Sequence, residues 1–196
     1  MMICIKQPQR RIYSPHFLAG LSPVDSDRKL DFKYFGEVTF RAVRPEDAAK
    51  IIQFHKRLLR GSLWKRDPKN LSHDVGKLRE KVGNVCVNSE DSFSMVAERR
   101  VKESRLSRIL ALGRLTTTDE PGVAGLVLVT PEKVRDTGIA YELFERLSSV
   151  ARASGFDSMR EETLPWDDDI LDFCRGFGLR QRAVPKDSVI TVGYPL

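Results

Sequence analysis

The segment "PGVAGLVLVTPEKVRDTGIAYELFERLSSVARASGF", Pro121 to Phe156, most narrows what this chain folds into. Its first ten residues are a nearly continuous apolar run, as in a central strand covered on both faces. From Gly138 the apolar residues return at helical spacing: Ile139, Leu143, Leu147, Val150 and Ala151 form one stripe, and Gly155 is placed to end the helix. A strand feeding a long helix through a short loop is half of an α/β crossover. The helix opens on Gly138 and Ala140, two of the smallest side chains. Turn chemistry explains that choice, and so does an anion that must approach the backbone closely. The first N–H groups of such a helix are unpaired and the helix dipole adds positive potential, so main chain alone can hold phosphate oxygens. Arg135 and the Thr137 hydroxyl would add a charge and a donor at the rim.

The flanking segments predict more strands and helices. "EVTFRAV" alternates, with Val38, Phe40 and Ala42 on one side, as a half-buried strand does. In "RPEDAAKIIQFHKRLL", Pro45, Glu46 and Asp47 suit a first helical turn, and Ile51, Ile52, Leu58 and Leu59 share a face. Within the mixed stretch Gly61 to Ser92, Ser72 caps a short charged helix that Gly83 ends. "FSMVAERR" and "SRILALGRLTTT" read as strands joined by the basic turn "RRVKESRLSR". "FDSMREETLP" and "SVITVG" are further strands, with a short helix at "DDDILDFCRGFG" between them. Residues 1–36, punctuated by Pro8, Pro15, Gly20 and Pro23, read as an irregular N-terminal extension. Residues 37–196 then form a single α/β domain around a mixed sheet flanked by helices.

Several function classes fall away. The net charge of +6 suits nucleic acid, a phosphorylated ligand or solubility alike, and no recognition helix or interleaved aromatic-basic pattern comes with it. Nucleic-acid binding through the basic turn ranks last. Cys4, Cys86 and Cys174 suggest no disulfide framework, and His16, His55 and His73 have no metal-ligand spacing, so no metal is expected. No run reaches membrane-spanning length and no signal-peptide core is visible, so a reduced, cytoplasmic protein is the expectation. The loop is neither G-x-G-x-x-G nor a Walker sequence, which argues against a dinucleotide or a triphosphate held in the P-loop manner.

Three collinear segments resemble the GNAT superfamily of acyl-CoA-dependent N-acyltransferases. "LVLVTPEKVRDTGIAYELFERLSSVARASGF" is similar to the superfamily's central strand, its Q/R-x-x-G-x-G/A loop and its long helix, with Arg135, Gly138 and Ala140 at the defining positions. "LPWDDDILDFCRGFGL" and "VTFRAVRPEDAAKIIQFHKRL" resemble the short later helix and the opening strand and helix. "RPED", "ILALGRL" and "DFCRGFG" look most like the catalytic domain of bacterial Pat-type protein lysine acetyltransferases. The resemblance spans about Glu37 to Val192. It implies a mostly antiparallel sheet whose two neighbouring strands splay apart to admit acetyl-CoA, used as a cosubstrate. The pyrophosphate would meet Arg135, Asp136, Thr137, Gly138, Ile139 and Ala140. Strand amides near Leu128, Val129 and Thr130 would pair with the pantetheine and bind the developing oxyanion. An amine would attack the thioester directly.

Two family positions are altered. The glutamate often used as base falls at Gly125, and the thiolate-protonating tyrosine falls at Cys174, a small apolar neighbour for the cofactor. Glu162 is the best remaining base, with a structural ion pair or a helix-capping role as its competing explanation; Glu161 points to the other face. Trp166 and Asp167 to Asp169 would border the acceptor. The resemblance thus implies an N-acetyltransferase acting on a primary amine, a protein lysine or a small molecule. A catalytically impaired acyl-CoA-binding regulatory domain is the alternative, and a homodimer stays open.

Overall fold

The structure, a computed structural model, describes residues 27–60, 85, 86, 88, 89, 91–101, 106–135, 137–163 and 190–196, with the backbone alone at 59, 60, 132, 135, 161–163 and 190–192. Seven strands form one sheet in chain order: β1 (Arg28–Phe32), β2 (Gly36–Ala42), β3 (Ser92–Arg100), β4 (Ser107–Thr117), β5 (Val123–Val129), β6 (Ser158–Thr163) and β7 (Ile190–Pro195). All neighbours are antiparallel except β5 and β6, which are parallel. A parallel pair needs a crossover, and α3 (Ile139–Ala153) supplies it. α1 (Ala48–Arg60) follows a 3-10 turn at Pro45–Asp47, and the single turn α2 (Glu132–Arg135) precedes α3. The expected mixed, mostly antiparallel sheet is present.

Each face of the sheet carries a helix. On one, Val38 and Phe40 of β2, Met95 of β3, Leu115 of β4 and Leu126 of β5 pack against Ile139, Leu143 and Leu147 of α3. The whole stripe expected of α3 is buried. Its end is a Schellman motif: Gly155 at φ 83° lets its own N–H bond the Arg152 carbonyl and the Phe156 N–H reach the Ala151 carbonyl. On the other face Ile51, Phe54 and Leu58 of α1 pack on Val96, Ile109, Leu112 and Val129. Phe54, absent from the expected stripe, is fully buried, whereas Ile52 is half-buried and the side chain of Leu59 lies outside the described residues.

The same face holds a polar cluster at the start of α1. The Arg41 guanidinium forks onto both Asp47 oxygens at 2.6 and 2.7 Å and donates through Nε to Glu98 at 2.8 Å. Lys50 bonds the other Glu98 oxygen at 2.6 Å, and the Ser107 hydroxyl donates to that oxygen too. Asp47 also accepts the Arg44 N–H, fixing the turn into α1. Burial would raise the Asp47 carboxyl, but the bonds from Arg41 and Arg44 and the charges of Arg41 and Lys50 outweigh it and hold it below its ordinary value.

Two expectations need correction. Residues 28–32 are not irregular: β1 pairs with β2 from Arg28↔Phe40 to Phe32↔Gly36, so the sheet begins inside the segment assigned to the extension. As an edge strand it presents only Leu30 and Phe32 to the core, too short an alternation to stand out among charged residues. Nor is β5 covered on both faces along its whole length. Ala124, Leu126 and Val129 are buried, whereas Val127 is 50% exposed. The expected helices at 72–83 and 167–178 lie outside the described residues.

Candidate functional site

The parallel ladder between β5 and β6 is short. It holds Val123↔Ser158, Ala124↔Met159 and Gly125↔Arg160, and then stops. Both strands continue beyond it. β5 runs on to Val129 against β4, with Leu126↔Leu115 and Val129↔Leu112 among its pairs. β6 runs on to Thr163 against β7, through Glu161↔Val192, Glu162↔Thr191 and Thr163↔Ile190. Each strand keeps its outer partner, so past Gly125 and Arg160 the inner edges have no strand partner among the described residues. Backbone groups of alternate residues along such an edge point into the gap. An extended ligand with amide groups can pair with them as an added strand would.

The loop beyond β5 leads straight to the mouth of this gap. Val134 of α2 is buried and anchors it; its N–H bonds the Pro131 carbonyl at 2.8 Å. Thr137 turns back on this anchor, with both its N–H and its hydroxyl donating to the Val134 carbonyl. In this structure the Thr137 hydroxyl donates to the Val134 carbonyl rather than toward the mouth. Gly138 follows at φ 82° and ψ −10°, as the N-cap of α3, with no side-chain cap. Non-glycine residues are strained in that conformation, which answers why the helix opens on glycine.

From α3 the Glu142 N–H bonds back to the Gly138 carbonyl at 3.0 Å. The N–H groups of Gly138, Ile139 and Ala140 make no hydrogen bond to any described residue. The side chains of Ile139 and Ala140 are fully buried, and Gly138 is exposed. Ala140 is thus small because it packs in the core. Amides without a described partner at the positive end of a 15-residue helix are an arrangement in which an anion such as a phosphate could be received. Phe32 of β1 buttresses the loop, its Cε1 lying 3.7 Å from where a Gly138 Cβ would stand. Sequence reasoning missed it by leaving residues 28–32 in the extension.

Leu128, Val129 and Thr130 lie at the free end of β5, where Leu128 packs on the α3 side, Val129 is buried against α1 and Thr130 is partly exposed. The backbone of Arg135 closes α2. Across the gap, Glu162 stands two residues beyond the last ladder pair. Asp136, Trp166, Asp167 to Asp169 and Cys174 lie outside the described residues. Gly125, where the family pattern carries a glutamate, pairs with Thr116, whose Oγ1 sits 2.5 Å from the position a residue-125 Cβ would take. A threonine hydroxyl fills the space a side chain there would need.

A seven-stranded sheet that opens between its one parallel pair, with a helix N-terminus at the mouth, is the architecture of the GNAT fold. Comparison with solved structures places this chain in that fold. The GNAT domain of S. lividans PAT superposes with a TM-score of 0.71 at 17% identity, covering 90% of this chain and all of that one. The ribosomal-protein-S5-alanine acetyltransferase from Vibrio fischeri gives 0.65 at 13% identity, over 86% of this chain and 97% of that one. PaiA N-acetyltransferase from Thermoplasma acidophilum, in complex with coenzyme A, gives 0.60 at 15% identity, over 81% of this chain and 99% of that one. At these identities the likeness is one of fold. No protein-family model matches the sequence, and no curated protein matches it. Among the described residues no cluster of His, Cys, Asp or Glu is suited to a metal, and no helix is long and apolar enough to cross a membrane.

Proposed function

We propose that this chain is an acyl-CoA-dependent N-acyltransferase that uses acetyl-CoA and passes the acetyl group directly to an amine. The observation that carries this is the joint placement of the split β5–β6 ladder and the amides of Gly138, Ile139 and Ala140, unpaired among the described residues, at one end of the same gap. Coenzyme A is present in the complex of the PaiA neighbour, and a bisubstrate analogue in that of Arabidopsis thaliana NAA60, which shares the fold at a TM-score of 0.58.

The diphosphate is received by the α3 amides and the loop Arg135 to Ala140, and the pantetheine lies along the free edge of β5 toward Thr130. A β5 amide near Leu128 donates to the acyl oxygen and stabilises charge that develops there on attack. The thioester supplies an activated acyl group, so no covalent enzyme intermediate is needed. The α3 face of the sheet is filled by core, so the acceptor approaches across the other face, where Val127 is half exposed. Glu162 takes the ammonium proton before attack. Cys174 acts as a small apolar neighbour of the cofactor.

A second reading, an acyl-CoA-binding regulatory domain that does not turn over, is favoured by Gly125 and the Thr116 hydroxyl that fills the usual base position. Release of free thiol from acetyl-CoA in the presence of a panel of amines separates the two. Amine-dependent release above the background of hydrolysis supports transfer. Tight acetyl-CoA binding with no acceptor-dependent release supports the regulatory domain.

A further inference from the structure

Ser94 on β3, Arg114 on β4 and Val127 on β5 stand side by side across the sheet. By alternation they share the face of Val96, Leu112 and Val129, which lie in the α1 cluster one step further along each strand. The β5–β6 register, continued past Gly125↔Arg160, sets Val127 level with Glu162 across the gap. One row of residues therefore runs from Ser94 to the point where the acyl group would sit.

Two members of this row are unsatisfied. Arg114 Nε and Ser94 Oγ are both buried, and neither has a hydrogen-bond partner among the described residues. Among the described residues no carboxylate pairs with Arg114, whereas Arg41 on the same face is held by both Asp47 and Glu98. Burial pushes the Arg114 guanidinium below its ordinary value. A buried guanidinium N–H with no acceptor is costly, and an unpaired hydroxyl on the neighbouring strand adds to that cost. A planar fork of donors next to a hydroxyl matches the geometry of a carboxylate. At the end of the row beside the gap, Val127 is half exposed.

We propose that Arg114 and Ser94 receive a carboxylate of the acceptor, so the acceptor is a small amine that carries a carboxylate, as an amino acid does. The proposal rests on the acyltransferase reading. Neighbouring strands are about 4.8 Å apart, so the carboxylate on β4 lies only a few bonds from an amine at the gap. In the step this orients, the amine nitrogen forms the new C–N bond to the acyl carbon and the C–S bond breaks. The thiolate leaves with the electron pair; the ammonium gives one proton to the base before attack and the nitrogen sheds a second as the amide forms, and of these two one ends on the thiolate and the other is released to solvent. A bare polyamine leaves Arg114 uncompensated and is disfavoured.

Binding can be read without turnover by titrating the full chain, saturated with coenzyme A, with alanine against ethylamine and lysine against cadaverine. Phosphoethanolamine serves as the phosphate arm. The carboxylated member of each pair is expected to bind about tenfold more tightly or better, as charge-assisted bonds support. Arg114→Gln is expected to erase that preference with coenzyme A affinity unchanged, Arg114→Lys to retain part of it, and Ser94→Ala to weaken it a few-fold. Should Arg114→Gln fail to fold, the Arg114 Nε–H resonance of the unmodified chain decides, and it is expected to shift on adding the amino acid. Equal binding of both members of each pair overturns the proposal, as does tighter binding of phosphoethanolamine than of the amino acids, or an Nε–H signal that does not move. Absence of coenzyme A binding would sink the transferase reading and this proposal together. Intact coenzyme A binding with no carboxylate preference would sink this proposal alone.

Discussion

Gly125 of β5 and Arg160 of β6 form the last rung of the parallel ladder, and the residues after them, Leu126 and Glu161, turn to Leu115 and Val192 on their outer sides. This rung sets the floor of the gap. The first amides of α3 lie beyond the end of β5 at its mouth, so on the proposed reading the depth of the cleft and the grip on an anion are set by one continuous strand, loop and helix.

Gly138 gives the sharpest test of that grip. Its φ of 82° makes Gly138→Ala cost about 1 kcal/mol of stability, measured by thermal or urea melts. Gly138→Glu adds a carboxylate at the anion site and is expected to abolish coenzyme A binding in a calorimetric titration. Retention of full affinity by a folded Glu variant would contradict the assigned site.

Gly125→Glu is expected to destabilise by about 1–3 kcal/mol, because Thr116 Oγ1 occupies the path of the new side chain. Adding Thr116→Ala should recover most of that loss. Melts of the single and double variants check this; a single variant as stable as the parent would show that the threonine simply rotates away.

Glu162→Gln is expected to lower kcat by about 10²-fold or more, with the KM for acetyl-CoA unchanged, and to flatten the acidic limb of the pH–rate profile. Restoration of part of that rate by Thr116→Ala with Gly125→Glu would show that a carboxylate on either side of the gap can serve. An unchanged profile in Glu162→Gln would assign the proton to water.

The Arg41 cluster predicts an acid-sensitive fold. For both Asp47 and Glu98, burial would raise the carboxyl, yet bonds to Arg41, Lys50 and neighbouring donors hold it below its ordinary value of 3.8 or 4.5. Their contribution is present above those ordinary values and is lost as pH falls through the depressed ones. Melts in decreasing pH should show stability dropping below about pH 4.5. Asp47→Ala, which strands the buried Arg41, is expected to cost about 3–5 kcal/mol at neutral pH and to remove part of that dependence.

The elements nearest the site were legible because their chemistry is local. The α3 stripe repeats over four turns, Gly138 and Gly155 mark both ends, and "FSMVAERR" and "SRILALGRLTTT" match β3 and β4. β1 was missed because an edge strand needs only Leu30 and Phe32 to be apolar. The exposure of Val127 was unreadable in a continuous apolar run, since what opens that face is the end of pairing with β6, a tertiary event. Arg114 looked like any strand arginine. Its significance comes from register, which sets it between Ser94 and Val127.

The central claim is that acetyl-CoA enters between β5 and β6 with its diphosphate on the first amides of α3. Amide NMR of the labelled chain during a coenzyme A titration tests it most directly. The account predicts saturable shifts concentrated at Gly138, Ile139, Ala140 and the β5 amides from Leu126 to Thr130, with Val38 and Phe40 in the core unmoved. Coenzyme A that leaves those signals in place, or perturbs only residues remote from them, would contradict it.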